Sequence, residues 1–273
     1  MSEQLHLGDC LEVMPDIPDR SVDMVMADPP YGTTACSWDS VIPLEPMWKE
    51  LKRVIKKNGA IVMTASQPFT TTLIASNLPG FKYCWVWRKS KATGHLNARK
   101  RPLVKHEDAV VFCDGQSTYN PQGLVEKECQ TISKGNRGAK TGGVSGECYG
   151  TANKDAIQTH TNYPVSIIDF PVDSRAEYHP TQKPVALMEY LIKTYTNPNE
   201  TVLDFTMGSG TTGVACVRCN REFIGIELEK KYFDIATKRI KATRRDIKAF
   251  QTSPEDEQMK RRVAEFKRRA KKR

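Results

Sequence analysis

Nowhere do the 273 residues run for the roughly 18 consecutive apolar positions that a membrane-spanning helix needs. With 39% hydrophobic and 27% charged residues and a mean hydropathy of −0.52, the chain reads as a soluble globular protein with no membrane partner. The start, Met1 to His6, lacks both the basic patch and the apolar stretch of a signal peptide, so a cytoplasmic location with reduced thiols is expected. Paired metal-ligand spacings are missing as well. Of the eight cysteines only Cys216 and Cys219 form a C-x-x-C, with no second pair and no matching histidines, so no metal is expected and the cysteines read as small buried hydrophobes. No repeat of fixed period is present.

Acid is missing from one segment in particular. Residues 82 to 105 hold Lys82, Arg88, Lys89, Lys91, Arg99, Lys100, Arg101 and Lys105 and not one Asp or Glu. The chain carries a net charge of +9, but residues 237 to 273 alone contribute +10, which leaves residues 1 to 236 at −1. A polyanionic partner would therefore meet one basic segment and one basic tail on a nearly neutral body.

Apolar runs and helical spacings alternate along that body. Val22 to Ala27 reads as a buried strand stopped by a Pro-Pro turn. Leu44 to Lys57 has helical spacing ended by Asn58-Gly59, and Ala60 to Thr64 is the next strand. A helix over Gln67 to Ser76 and strands over Tyr83 to Trp87 and Ala109 to Phe112 follow. After Lys183 come a helix, the strand Thr201 to Asp204, a glycine turn, a helix from Thr211 to about Cys219, the strand Glu222 to Glu227, and a helix over Tyr232 to Ile240. Such alternation predicts an α/β fold, a mostly parallel sheet with helices on both faces. Between them, residues 114 to 160 carry eight glycines and no strand or helix period, and read as an insertion.

Two segments carry chemistry. Gly208-Ser209-Gly210-Thr211-Thr212-Gly213 between strand and helix, with Glu227 ending the next strand, satisfies the nucleotide-binding pattern G-x-G-x-x-G. Glycines admit a ligand to the backbone, and Glu227 can accept two hydrogen bonds from a ribose diol. Asp204 chooses between nucleosides: a pyrophosphate beside it would be repelled, whereas a ligand bearing an ammonium group would be attracted. S-adenosyl-L-methionine has the ribose and the ammonium without the phosphate, and fits better than NAD. An NAD-dependent oxidoreductase is the reading from another enzyme class, and it leaves the second segment without a task.

That segment is Asp28-Pro29-Pro30-Tyr31, at a strand's carboxyl end, where open α/β sheets bind ligands. The exocyclic amine of adenine or cytosine is a poor nucleophile because its lone pair is delocalised. The Asp28 carboxylate and the Pro29 carbonyl, in a turn held by Pro30, can accept its two N–H bonds and free that lone pair, while Tyr31 stacks on the base.

At these motifs the chain resembles the amino-group DNA methyltransferases, in the circularly permuted class whose catalytic tetrapeptide precedes the recognition insert and the cofactor glycines. The resemblance spans about residues 5 to 240. It gives Asp28, Pro29, Pro30 and Tyr31 the catalytic role, and Asp204, Phe205, Gly208, Gly210, Thr211 and Glu227 the cofactor. It likens His179-Pro180-Thr181-Gln182-Lys183-Pro184 to the segment ahead of the cofactor loop, with Lys183 meeting the methionine carboxylate, and Leu7-Gly8-Asp9-Cys10 to the turn that contacts adenine through Asp9. What it implies is a Rossmann-like fold with a seven-stranded sheet whose last strand is antiparallel, a target-recognition insert and a flipped target base. The division would be 1–113 catalytic half, 114–178 insert, 179–243 cofactor half and 244–273 basic tail. Aspartate at the first catalytic position is more typical of adenine-N6 enzymes, and cytosine-N4 methylation is the alternative. Double-stranded DNA is the implied partner. A homodimer and a cognate restriction endonuclease are left open.

For DNA contact the sequence offers Arg88, Lys89, Lys91, His95, Arg99, Lys100 and Arg101, in and before a loop running from Ser90 to Pro102. Tyr83, Trp85 and Trp87 alternate as one aromatic face of a strand, and the tryptophans are expected to pack in the core. The tail, from Arg244 through Lys260-Arg261-Arg262 to Lys271-Lys272-Arg273, reads as a solvated or disordered extension or a nonspecific tether to DNA.

Overall fold

In β2 (Val22–Ala27) successive side chains serve opposite faces: Met24 and Met26 enter one apolar cluster, Val25 and Ala27 the other. In β3 (Ile55–Ala65), Ala60 and Val62 join the first cluster, and Ile61 and Met63 the second. A sheet buried on both faces requires helices on both, and the computed structural model, which describes residues 3–34, 39–133, 156–172 and 182–251, has that arrangement. Around these strands the chain runs through β1 (Glu3–Leu7), α1 (Cys10–Val13), α2 (Leu44–Val54), α3 (Phe69–Ser76), β4 (Phe81–Thr93), β5 (Val104–Phe112), β6 (Val125–Ser133), β7 (Ala156–Thr161), β8 (Ile167–Asp169), α4 (Val185–Tyr195), β9 (Thr201–Asp204), α5 (Thr211–Arg218), β10 (Glu222–Glu227) and α6 (Lys230–Gln251). Met47 and Leu51 of α2 and Leu73 of α3 pack on the face of Val25. Leu187 and Leu191 of α4, Val214 of α5 and Ile240 of α6 pack on the face of Met24.

The main sheet has the order β1-β10-β9-β2-β3-β5-β4-β8. The expected seven strands are joined by an eighth, β8, which pairs with β4. The antiparallel member is β5, interior between β3 and β4 rather than last. From β9 the chain steps to β10 on one side, and from β2 to β3 on the other, so the strand order reverses between β9 and β2. That crevice is where open α/β sheets hold ligands.

Two boundaries depart from the sequence reading for a tertiary reason. α2 ends at Val54, three residues early, because Ile55 turns extended and pairs with Val22. Cross-strand pairing of a β-branched residue overrides helical spacing there. β4 runs on to Thr93, taking up the first part of the expected loop, which continues as a turn of 3-10 helix over His95–Asn97. Trp85 and Trp87 are buried as expected, while Tyr83 is exposed.

Residues 121–165 cluster as a separate compact unit. Its antiparallel ribbon of β6 and β7 was not foreseen: Val125, Ile132 and Ile157 are all exposed, so the ribbon has no buried face to impose an apolar period. Most of the glycines of the insert, the segment 173–181 and the tail from 252 onward lie outside the described residues.

Candidate active site

Four parallel strands deliver an acid each to one edge of the sheet. Asp9 follows β1, Glu227 ends β10, Asp204 ends β9 and Asp28 follows β2. Asp28 and Asp204 thus stand on either side of the reversal point, on strands that pair through Met24 with Val202 and Val25 with Leu203. Each motif's strand-end position is legible in the sequence; only the sheet order makes them neighbours.

On the glycine-loop side, both Glu227 oxygens are engaged by backbone, Oε2 accepting from Gly208 N at 2.8 Å and Oε1 from Glu229 N at 2.8 Å. Burial holds its carboxyl above the usual carboxylate range against those bonds. Asp204 is 2% exposed and accepts from Thr206 N at 3.1 Å and from the Thr212 hydroxyl. Burial, with smaller contributions from the Asp28 and Glu227 charges, pushes its pKa up to about 7. A carboxylate so desolvated, among like charges, is a site for a cation. Asp9 Oδ1 accepts from Leu11 N at 2.7 Å and caps α1, and the neighbouring Gly8 N donates to Glu227 O at 2.9 Å, which sets Asp9 beside Glu227. The side chain of Phe205, a residue that the resemblance places in the cofactor loop, is 1% exposed and belongs to the same apolar cluster as Leu203 and Ile226.

The two glycines of the turn differ in purpose. Gly210, at φ +79°, starts α5 directly after itself; a Cβ there would lie 2.8 Å from Ala236 Cβ and 2.9 Å from Ala236 Cα. Gly208, at φ +52°, would carry its Cβ into open space. Gly210→Ala is therefore expected to lower the stability of the ligand-free protein by about 2 kcal/mol or more through backbone strain and overpacking against α6. Gly208→Ala should cost only about 1 kcal/mol in urea unfolding, because its penalty is backbone strain without overpacking. Equal midpoints for the two variants would contradict this division. These features fit S-adenosylmethionine: an open backbone turn, a buried acid for its ammonium and a second acid for its ribose.

On the other side, Asp28 is held from three directions. Tyr31 Oη donates to Oδ1 at 2.7 Å, the Thr64 hydroxyl from β3 donates to the same oxygen, and Lys183 Nζ donates to Oδ2 at 2.7 Å. Tyr31 stacks on Phe69 with ring centroids 5.4 Å apart, and Lys183 Nζ lies 5.5 Å from its centroid. Burial and the nearby Asp28 and Glu107 charges hold the Tyr31 phenol well above its ordinary range, so it stays a donor. Pro29 is buried and Pro30 half-buried. The turn after Tyr31 is tied by Asp39, whose carboxylate accepts from the amides of Gly32, Thr33 and Thr34 at 2.9, 2.9 and 2.6 Å. Burial opposes its ionisation, yet these bonds and the Thr34 hydroxyl hold its carboxyl below the usual range.

Lys183 was expected to meet a methionine carboxylate. Its ammonium instead sits between Asp28 and Glu107, 3.3 Å from Glu107 Oε2, in a side chain only 7% exposed. Burial alone would lower its pKa; the two carboxylates overcome that and raise it.

The basic segment divides. Lys89, an expected phosphate contact, is buried with Nζ 2.9 Å from Glu107 Oε1, because its position continues the inward face of Trp85 and Trp87. Arg88 is exposed but paired with Asp169 at 2.5 and 2.6 Å. Lys91, His95, Arg99, Lys100 and Arg101 are exposed on and around the turn between β4 and β5. His95 Nε2 lies 3.2 Å from Ala92 O. Sequence reading missed Thr64, Phe69, Asp39 and Glu107. The available signal for Glu107 was an acid placed after eight cations without one.

A family model for DNA methylases of the N6/N4 methyltransferase type matches residues 22–238. The DNA adenine methyltransferase YhdJ of Escherichia coli K12 is 30% identical over 256 residues, covering 85% of this chain and 81% of that protein. Among solved structures, the M1.HpyAVI–SAM complex is similar at a TM-score of 0.59 and 28% identity, over 87% of this chain and 99% of the other. The PvuII cytosine-N4-specific DNA methyltransferase shares the fold at a TM-score of 0.60 and 16% identity, over 88% and 86% of the two chains.

Proposed function

Because this chain belongs to the N6/N4 family of DNA methylases, we propose that it methylates the exocyclic N6 of an adenine turned out of double-stranded DNA. The observation that carries the reading is the pair Asp28 and Asp204 at the carboxyl ends of adjacent parallel strands, flanking the point where strand order reverses. S-adenosylmethionine, bound there, supplies an electrophilic methyl carbon on a sulfonium. Asp204 holds the ammonium, Glu227 the ribose hydroxyls and Asp9 the adenine amine, while Gly208, Gly210 and Thr211 present backbone.

Asp28 and the Pro29 carbonyl accept the two N–H bonds of the target amine and turn its lone pair toward the methyl. After transfer the nitrogen is cationic and acidic, and Asp28 or water takes its proton. Tyr31 fixes Asp28 through its hydroxyl, and its half-buried ring meets the flipped base. Catalysis on this account is positioning and electrostatics, with no covalent intermediate. Lys91, His95, Arg99, Lys100 and Arg101 contact phosphates. Arg88 joins them, since an exposed ion pair such as Arg88–Asp169 is worth so little that a phosphate can replace the carboxylate.

DNA as substrate implies a cytoplasmic protein; among the described residues no helix is long and apolar enough to cross a membrane. A homodimer and a cognate restriction endonuclease belong to the same reading, checked by sedimentation and by whether methylated DNA resists a co-occurring nuclease.

The test is to incubate the protein with methyl-labelled S-adenosylmethionine and unmethylated DNA, then digest to nucleosides. N6-methyladenine is the expected product. N4-methylcytosine would overturn the choice of base, and no transfer to any of several DNAs would overturn both.

A further inference from the structure

Four charges alternate in a line that ends on Asp28. Lys89 Nζ lies 2.9 Å from Glu107 Oε1, Glu107 Oε2 lies 3.3 Å from Lys183 Nζ, and Lys183 Nζ lies 2.7 Å from Asp28 Oδ2. All four side chains are largely withdrawn from solvent: Asp28 is 29% exposed, Glu107 16%, Lys89 9% and Lys183 7%. Burying two acids and two lysines costs more than packing apolar groups of similar size, so such an array is weak as a device for stability. Its members come from separate elements. Lys89 lies on β4 and Glu107 on β5, where Trp87 pairs with Glu107 and Lys89 stands one diagonal position along the same face. Lys183 precedes α4, and Asp28 follows β2.

The geometry points to Glu107 as a positioning residue for the transfer. Anchored by Lys89, it shares the Lys183 ammonium with Asp28, which orients the Asp28 carboxylate and prevents Lys183 from neutralising it completely. Three observations carry this. The first is that Glu107 spends one oxygen on each ammonium, so Lys89 weakens the pull of Glu107 on Lys183, and the distances match, 2.7 Å to Asp28 against 3.3 Å to Glu107. The second is that Oδ1 of Asp28 is fixed by Tyr31 and Thr64, so the Lys183 bond to Oδ2 sets the remaining rotation of the carboxylate. The third is electrostatic: an ammonium shared between two carboxylates leaves each a better acceptor than one paired singly. Removal of Glu107 would give Asp28 the whole of Lys183 and strand Lys89. Removal of Lys89 would release Glu107 to draw Lys183 away.

This inference rests on the methyltransferase reading, and the closing experiment separates the two. Glu107→Gln, Lys89→Met and the double variant are compared with the unaltered enzyme for kcat at saturating S-adenosylmethionine and DNA, for the Kd of each ligand, and for Tm. Each single substitution is expected to lower kcat at least tenfold with both Kd values within twofold. The double variant still leaves Asp28 singly paired with Lys183, so its kcat is expected to stay within about threefold of that of Glu107→Gln, while Tm recovers because no ammonium is stranded. A purely structural role would instead make kcat recover together with Tm in the double variant. If Glu107→Gln fails to fold, the double variant, which strands no charge, takes its place in the comparison. Single-variant kcat values within twofold of the unaltered enzyme, losses that appear in Kd, or a double variant whose kcat recovers with its Tm would overturn the role of Glu107. Absence of transfer by the unaltered enzyme would overturn the methyltransferase reading instead.

Discussion

Asp28→Ala is expected to reduce methyl transfer at least about a thousandfold, close to 4 kcal/mol of barrier, while the Kd for S-adenosylmethionine stays within about threefold. The size follows from what is lost. The target amine keeps its delocalised lone pair unless its N–H bonds are accepted, and Asp28 is the only carboxylate of the Asp-Pro-Pro-Tyr turn. The separation of effects follows from position: the cofactor-side groups Asp204, Glu227 and Gly208 hang from β9, β10 and the glycine turn, none of which bonds to Asp28. The variant also remains foldable, because Lys183 keeps Glu107 as a partner at 3.3 Å and no buried ammonium is left alone. Asp28→Asn keeps the shape and removes the charge, and a loss of at least about a hundredfold is expected. Single-turnover transfer with calorimetric binding checks both; an Asp28→Ala enzyme within tenfold of normal would sink the catalytic assignment.

The second large effect is on Asp204. Its pKa stands at about 7 in the ligand-free protein, raised first by burial. A cation placed against it favours the ionised form, so binding releases a proton and affinity climbs as pH rises through that value. The ionised fraction grows as pH rises through that value, so the Kd for S-adenosylmethionine should tighten several-fold between pH 6 and pH 7, where the ligand's own ammonium is still protonated. Asp204→Asn removes the titrating group. Its Kd should weaken at least about thirtyfold at pH 8, near 2 kcal/mol, and its pH dependence should flatten. Proton release measured by calorimetry in two buffers of different ionisation enthalpy reads the linkage directly. A wild-type Kd independent of pH between 6 and 7 would contradict the assignment of the ammonium to Asp204.

Both effects concern residues that the sequence displays openly, and the reason is local. Asp28 and Asp204 each end an apolar run and open a turn of restricted backbone, Pro-Pro in one case and Gly-x-Gly in the other. Strand, turn and chemistry therefore fall within a few consecutive positions. The strands Val22–Ala27, Thr201–Asp204 and Glu222–Glu227 stand where their apolar patterns end, because every side chain in them is at least half-buried. Legibility fails where a residue's partner is far along the chain. Lys89 looks like one cation among eight, and only its pairing with a residue eighteen positions on, across β4 and β5, removes it from the surface. Phe205 belongs to the glycine motif by sequence and to the core by packing.

The sequence by itself determined that this is an α/β chain with two ligand-binding turns, one suited to a nucleoside carrying positive charge and one to an exocyclic amine. Residue type, strand period and turn chemistry are properties of neighbouring positions, and they survive without any tertiary contact. Tertiary structure alone decided that β9 lies beside β2, which brings the two turns together, and that Lys183, 155 residues from Asp28, bonds to it. It also decided that the charge of Lys183 is divided with Glu107. Sheet order and the pairing of buried charges depend on long-range closure of the chain, for which a local pattern carries no signal.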